Sequence, residues 1–416
     1  MTLATIANHF NLENGAQIKN RLFKSAMSEQ LGDKHHNPKK GLAKLYGRWA
    51  KGGIGLAITG NVMIDRNALG EPKNVVLDEQ SDLSEFKRWA SAGKQNNTHI
   101  WPQLNHPGKQ IPSFLNDEPV APSAISLERG LEKAFSQPRA LTEQEILDII
   151  AKFALSAKLA KQAGFTGVQI HGAHGYLVSQ FLSSRHNQRT DSWGGSLENR
   201  MRFVLEVYKA IRNEVGNDFP IGIKLNSADF MKGGFTEEES MQVVQALSAA
   251  GIDLIEISGG TYESPSMMGA NNKSKPQTQK ESTIKREAYF LDYMEKIRKL
   301  VSTPLVVTGG FRSGAAMNHA VGSGATDFVG IARTMVVDPE FPNKLIADNN
   351  HAMPLIVPTT GKPALDKAAM VGLVWYEHQM WRIAKGKDPK PNLSAMGVVL
   401  KTMLSAGLYS FKKRRA

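Results

Sequence analysis

The chain alternates short apolar runs with longer stretches of helical period. The strand candidates are the runs at 22–26, 54–60, 100–104, 167–171, 220–225, 252–258, 304–308 and 327–331, and several of them are apolar on consecutive residues. That is the pattern of strands buried on both faces, and it differs from the strict alternation of a half-exposed sheet. The helices between them carry their own punctuation. Thr142-Glu-Gln-Glu145 reads as a capping box. Ile146, Ile149, Ile150, Phe153, Ala154 and Ala157 follow at helical spacing, and Gly164 ends the segment. Thr236-Glu-Glu-Glu239 repeats the device, with Val243, Val244 and Leu247 as its apolar stripe and Gly251 as its stop. Ser196 is placed to cap a helix running through Arg212.

Eight strand–helix alternations predict an α/β fold, a parallel TIM (β/α)8 barrel. A doubly wound open sheet is the alternative, but no Gly-x-Gly-x-x-Gly fingerprint follows the first strand. Two stretches exceed a minimal barrel. Residues 105–140, rich in Pro, Ser and Gly, follow the third strand and predict a lid over the barrel mouth. Residues 351–416 predict a helical, basic C-terminal extension beyond a barrel of residues 1–350.

Composition narrows the chemistry. The 416 residues contain no cysteine. That excludes a disulfide scaffold, thiolate zinc sites, iron–sulfur clusters and a cysteine nucleophile. The formal charge of +12 is unevenly spread: residues 378–416 carry +8 and the rest +4. The basicity belongs to a tail, which argues against a nucleic-acid-binding body. The first 20 residues lack the basic start and apolar core of a signal peptide, and no apolar run is long enough to span a bilayer. A cytoplasmic enzyme is the expectation.

In a parallel barrel, the chemistry lies at the carboxyl ends of the strands. Ser25, Ala26, Met27 and Ser28 follow strand one, Gln103 lies on strand three, and His171, His174 and Tyr176 end strand four. Lys224 lies on strand five. Gly309 and Gly310 follow strand seven, and Ala332 and Arg333 follow strand eight. The last two turns suit a phosphate group. Small residues let backbone N–H groups come close, helix N-termini add favourable dipoles, and Arg333 adds charge. Tight βα turns with no ligand are the plainer use of such glycines. Two histidines without a third ligand make no persuasive metal site.

These residues stand in longer motifs. They include Asn20-Arg21, Ser25-Ala-Met27, Gln103-Leu-Asn-His-Pro-Gly108, His171-Gly-Ala-His-Gly-Tyr-Leu177 and Gln180-Phe-Leu. Further along come Asn187-Gln-Arg-Thr-Asp-Ser-Trp-Gly-Gly-Ser-Leu-Glu-Asn-Arg200, Thr308-Gly-Gly, Ala332-Arg-Thr and Asp338-Pro339. Over about residues 1–345 the sequence resembles the old yellow enzyme family of FMN-dependent ene-reductases, the NADH:flavin oxidoreductases. The resemblance implies non-covalent FMN, NADH or NADPH as electron donor, and hydride transfer to the C=C of an α,β-unsaturated carbonyl, a small-molecule enone.

It also implies roles. Lys224 stabilises charge near N1 and the C2 carbonyl of the reduced flavin. Gln103 matches the pyrimidine edge. Ala26 and Met27 line the ring, while Ser28 stands where many relatives place a Thr or Cys near the C4 oxygen. His171 and His174 hold the enone carbonyl, and Tyr176 supplies the proton to Cα. Asp191, Glu198 and Arg200 fix a loop, and Trp193 is packing. Glu29-Gln30 replaces an aromatic found in some subclasses. The loop at residues 260–280, with Tyr262, Met267 and Met268, is placed to form an apolar wall.

Two other classes stay open on the residues alone. One is a cofactor-free barrel lyase or isomerase that grips a phosphorylated substrate, with Lys224 as its reactive amine. The other is a non-catalytic protein led by its basic tail. In that tail Met396, Val399, Leu400, Met403, Leu404, Leu408 and Phe411 share a helical face ahead of Lys412-Lys-Arg-Arg415. The stripe either docks on the barrel or on a second subunit of a homo-oligomer, or meets an anionic membrane surface. Docking is the commoner use.

Overall fold

The computed structural model describes residues 3–128, 130–261, 263 and 290–413, with side chains through residue 404. The expected wall residues Tyr262, Met267 and Met268, and the tail residues Leu408 and Phe411, lie outside the described side chains.

All eight expected strands form. They are β1 (Leu22–Lys24), β2 (Leu56–Met63), β3 (His99–Asn105), β4 (Val168–Gly172), β5 (Ile221–Asn226), β6 (Leu254–Ser258), β7 (Leu305–Thr308) and β8 (Phe328–Ile331). Neighbours pair in parallel around the ring, and β1 pairs with both β8 and β2, so the sheet closes. A two-residue strand, Val75–Val76, adds to the edge of β2. Closure removes the open edge that a doubly wound sheet would keep.

The helices begin and end where their residues direct. Thr142 and Thr236 form full capping boxes over the helices Glu143–Gln162 and Glu237–Ala249. Ser196 caps the helix Leu197–Val215 through the Asn199 N–H at 3.4 Å.

The barrel interior is layered. Phe23, Leu56, Ile58, Trp101, Leu254, Val306 and Phe328 fill its lower part. A small antiparallel hairpin, Phe10–Asn11 with Gln17–Ile18, helps close that end through Leu12 and Ile18. With the lower barrel sealed by hydrocarbon, polar residues concentrate nearer the strand tips.

Residues 351–404 pack closely on this body. Val371, Trp375, Tyr376, Met380 and Ile383 of the helix Val371–Ala384 join the same apolar cluster as the barrel helices. That helix lies against the helix Lys40–Lys51, where a β-carbon at Gly41 would come 3.0 Å from the Ala384 methyl. The last helix, Ala395–Lys413, buries Ala395, Val398 and Val399. The expected tail stripe therefore divides: Val399 is buried, but Leu400, Met403 and Leu404 are 55%, 53% and 70% exposed. The buried face is centred on 395, 398 and 399, so the helix is rotated from the stripe read in the sequence.

Candidate active site

The strand tips hold a connected row of polar side chains. Gln103 Nε2 donates to Gln169 Oε1 at 2.7 Å, and Gln169 Nε2 donates to Glu256 Oε2 at 2.9 Å. Glu256 Oε1 accepts from the Thr308 hydroxyl at 2.8 Å and meets Lys224 Nζ at 3.1 Å. Ser25 Oγ lies 2.8 Å from Thr308 Oγ1. The row crosses β3, β4, β5, β6, β7 and the end of β1. Gly330 on β8 makes room for it, since a β-carbon there would collide with Thr308 Oγ1 and Ser25 Oγ.

Above this row stands the end of β4. His171 and His174 meet edge to face at 5.2 Å, and His171 and Tyr176 do so at 4.8 Å. The Ala173 N–H donates to His171 Nδ1 at 3.3 Å, which leaves the His171 proton on Nε2 as a donor. His174 takes φ = +61°, its N–H donates to Asn226 Oδ1 at 3.2 Å, and its Nε2 lies 2.8 Å from Ser258 Oγ. Burial drives both imidazoles well below their ordinary range; Lys224 adds to it for both, and His174 adds to it for His171. They are neutral hydrogen-bonding groups.

The two glycine turns are neighbours. Thr308 on β7 pairs with Gly330 on β8, which sets Gly309-Gly310 beside Ala332-Arg333. Gly310 sits at φ = +78°, a conformation that costs an L-residue and suits glycine. The helix after β8, Arg333–Val337, spans only five residues. Its dipole is correspondingly small, so the phosphate reading rests on backbone N–H groups and the exposed Arg333 guanidinium. Arg333 Cζ lies 5.9 Å from the Tyr376 ring of the extension. Just past Arg333, the buried Thr334 Oγ1 has no hydrogen-bond partner among the described residues.

After β1, Ala26, Met27 and Ser28 are partly exposed, while Lys24 and Ser25 point into covered positions. Lys24 Nζ donates to Ile58 O at 2.7 Å and to Tyr46 Oη at 3.2 Å, and burial lowers it to about 8. The Tyr46 hydroxyl donates to Glu29, which also accepts from the Gly60 N–H at 3.0 Å. Glu29 thus faces inward.

The segment of residues 105–140 is tied to the body through a buried cluster. Lys109 Nζ donates to Ile125 O at 3.0 Å and to His186 Nδ1 at 3.0 Å. His186 Nε2 faces Glu263 Oε2 at 3.3 Å, and Glu263 Oε1 accepts from the Glu128 N–H at 3.0 Å. In the 187–200 segment, which runs into the helix Leu197–Val215, Arg200 Nη2 pairs with Glu239 at 2.5 Å, Arg189 pairs with Asp191 at 2.6 Å, and Trp193 is buried. Asp191, Arg200 and Trp193 thus make structural contacts, whereas Glu198 is exposed in the first turn of that helix.

Of the described site residues, Ser25–Ser28, His171, His174, Tyr176, Gly309, Gly310, Ala332 and Arg333 lie at or just past the carboxyl ends of β1, β4, β7 and β8, and Gln103 and Lys224 lie on β3 and β5. The sequence reading does not reach Gln169, Glu256 and Asn226, and it meets Thr308 only as part of a motif. Glu256 had a readable signal: it is a charged residue between two isoleucines, in a run otherwise apolar on both faces.

Residues 9–351 match the NADH:flavin oxidoreductase / NADH oxidase family. The NADH-dependent flavin oxidoreductase iliE of Hypocrea jecorina (strain QM6a) is 38% identical over 354 residues, 80% of this chain and 87% of that protein. A cinnamate reductase of Clostridium sporogenes is 33% identical over 74% of this chain, which spans 48% of that longer protein. Among solved structures, an old yellow enzyme homologue from Zymomonas mobilis superposes with a TM-score of 0.70 at 23% identity, covering 85% of this chain and 95% of that one. At that identity the likeness establishes the fold.

Proposed function

Because the chain belongs to the NADH:flavin oxidoreductase / NADH oxidase family, we propose that it reduces the activated C=C of α,β-unsaturated carbonyls with NADH or NADPH as donor. It is an oxidoreductase, and FMN is its cofactor. FMN, when bound, takes a hydride from the nicotinamide and passes a hydride to the alkene.

The donor set fits that group. An amide (Gln103) and an ammonium (Lys224) lie in one polar row, and paired glycine turns with Arg333 and the unpartnered Thr334 hydroxyl lie at a second place. An amide-edged ring and a phosphate need those two kinds of partner. Gln103 and Lys224 would hold the pyrimidine side, Ser25, Ala26, Met27 and Ser28 one flank, and Gly309, Gly310, Ala332 and Arg333 the phosphate. Lys224 acts together with Glu256, so the pair offers the ring a directed N–H donor and little net charge.

The observation that carries the reading is the edge-to-face group of His171, His174 and Tyr176 at the end of β4. His171 donates from Nε2 to the enone carbonyl oxygen and draws electron density from the double bond. His174, steadied by Asn226 and Ser258, supplies the second contact. Tyr176 delivers the proton to Cα. The lid bound through Lys109 and His186 limits access of water.

The test is direct. The FMN-loaded protein is reduced anaerobically with NADH or NADPH and given a panel of enones. Saturated carbonyl products support the proposal. A protein that binds no FMN yet converts a phosphorylated substrate would replace it with a lyase or isomerase.

A further inference from the structure

The loop after β1 makes contacts that alkene reduction does not require. The Ser28 hydroxyl donates to Glu71 Oε2, and Asn74 Nδ2 donates to the same oxygen at 3.1 Å. Two residues on, Gln30 Nε2 donates to Glu377 Oε1 at 3.0 Å. Glu377 is 2% exposed and comes from the helix Val371–Ala384 of the extension. The same helix sends Trp381 Nε1 to the Glu29 carbonyl at 2.8 Å. Glu29 itself is buried between Tyr46 and Gly60. Glu29 of the loop itself, Glu377 of the extension and Glu71 thus bring three carboxyl groups to one short loop.

The charged neighbours are few. Lys24 and Tyr46 lie on the inner side of Glu29. Lys73, 5.6 Å over the Trp381 ring, lies on the extension side, with Lys39 and Asp33 beyond it. Lys24 is shared with Glu256 and Lys224 of the barrel. Carboxylates gathered this closely would repel one another, which favours holding protons within the group. Burial first, then the charge of Glu71, raises Glu377 to about 7. Glu71 is raised by burial and by Glu29, and lowered by Ser28 and Asn74.

A serine hydroxyl has one proton to give. When Glu71 is a carboxylate, Ser28 gives that proton to Glu71 and can offer a bound ring only a lone pair. When Glu71 is protonated, Glu71 can donate to Ser28, and the Ser28 proton is released for an acceptor elsewhere. A negative charge on Glu377 favours the protonated form of Glu71.

We propose that Ser28 and Glu71 form a hydrogen-bond relay whose direction, biased by Glu377 of the C-terminal extension, decides whether Ser28 donates to the bound flavin. The relay rests on the placement of FMN given above. Glu71 and Glu377 are positioning residues that act through Ser28.

The FMN-loaded, oxidised protein is titrated from about pH 6 to about pH 9, a range that brackets the Glu377 value of about 7, and its visible flavin spectrum is recorded. The wild type shows a titration step in the flavin bands. Ser28→Ala and Glu71→Gln lose the step, and Ser28→Thr retains it. Glu377→Gln moves it to lower pH, because Glu71 then ionises without a charged neighbour. FMN content per chain and the thermal transition establish that each variant is folded and loaded. A flat wild-type spectrum, or an unaltered step in loaded Ser28→Ala, overturns the relay while leaving the flavin site intact. A folded wild type that takes up no FMN overturns both.

Discussion

Lys224 Nζ lies 3.1 Å from Glu256 Oε1, and the two side chains are 5% and 0% exposed. The pair joins β5 to β6 at the level where the barrel turns from hydrocarbon to hydrogen bonds. Glu256 also collects Gln169 and Thr308, so one carboxylate organises the amide row and the Ser25 hydroxyl.

Removing that carboxylate leaves a buried ammonium without its counter-charge. Glu256→Gln is expected to destabilise the fold by about 3 kcal/mol, because breaking one side of a buried pair costs more than the pair contributes. Urea unfolding of the wild type and the variant measures it. Retained FMN binding with an unchanged unfolding midpoint would show that the pair has no organising role.

His171 and His174 are held neutral by burial and by Lys224, so neither should gain a proton across ordinary assay conditions. Imidazole ¹⁵N shifts recorded from about pH 5.5 to about pH 8 should stay those of neutral rings, with the His171 proton on Nε2. The sign follows from the lowered values: protonation is deferred to more acid pH than in a free imidazole. A titration near 6.5 in either ring would mean that the site holds a charged imidazolium.

The extension divides into load-carrying and uncovered positions. Trp375 is 1% exposed and donates from Nε1 to Leu393 O at 2.9 Å. Trp375→Ala should cost about 3–5 kcal/mol. Leu404, at 70% exposure, should tolerate Leu404→Gln within about 0.5 kcal/mol. Thermal denaturation of both variants checks the contrast. A large loss in Leu404→Gln would reveal that this face is covered in solution.

Much of this architecture was readable from the chain. Strands buried on both faces tend to be apolar on consecutive residues, and several of the eight runs, such as Leu305–Val307, show that signature. The capping boxes at Thr142 and Thr236 were equally legible because they are local. The site row was half legible. Lys224 stood out as a cation on a strand, but its partner was passed over, so its charge was read as unopposed. The Ser28–Glu71 and Gln30–Glu377 contacts join residues 43 and 347 positions apart, and no local pattern encodes such pairings. The hairpin at Phe10–Asn11 and Gln17–Ile18 escaped because two-residue strands have no period to detect. The tail helix was found, but its buried face depends on the helix Val371–Ala384 against which it lies.

The central claim is that the group at the end of β4 polarises and protonates an acceptor, and Tyr176 isolates its last step. Stopped-flow absorbance of the FMN-loaded Tyr176→Phe variant follows flavin reduction by the nicotinamide and reoxidation by an enone as separate traces. The account predicts a reduction rate close to wild type and reoxidation slowed by about 10²-fold or more. Reoxidation at the wild-type rate, or an equal loss in both traces, would contradict it.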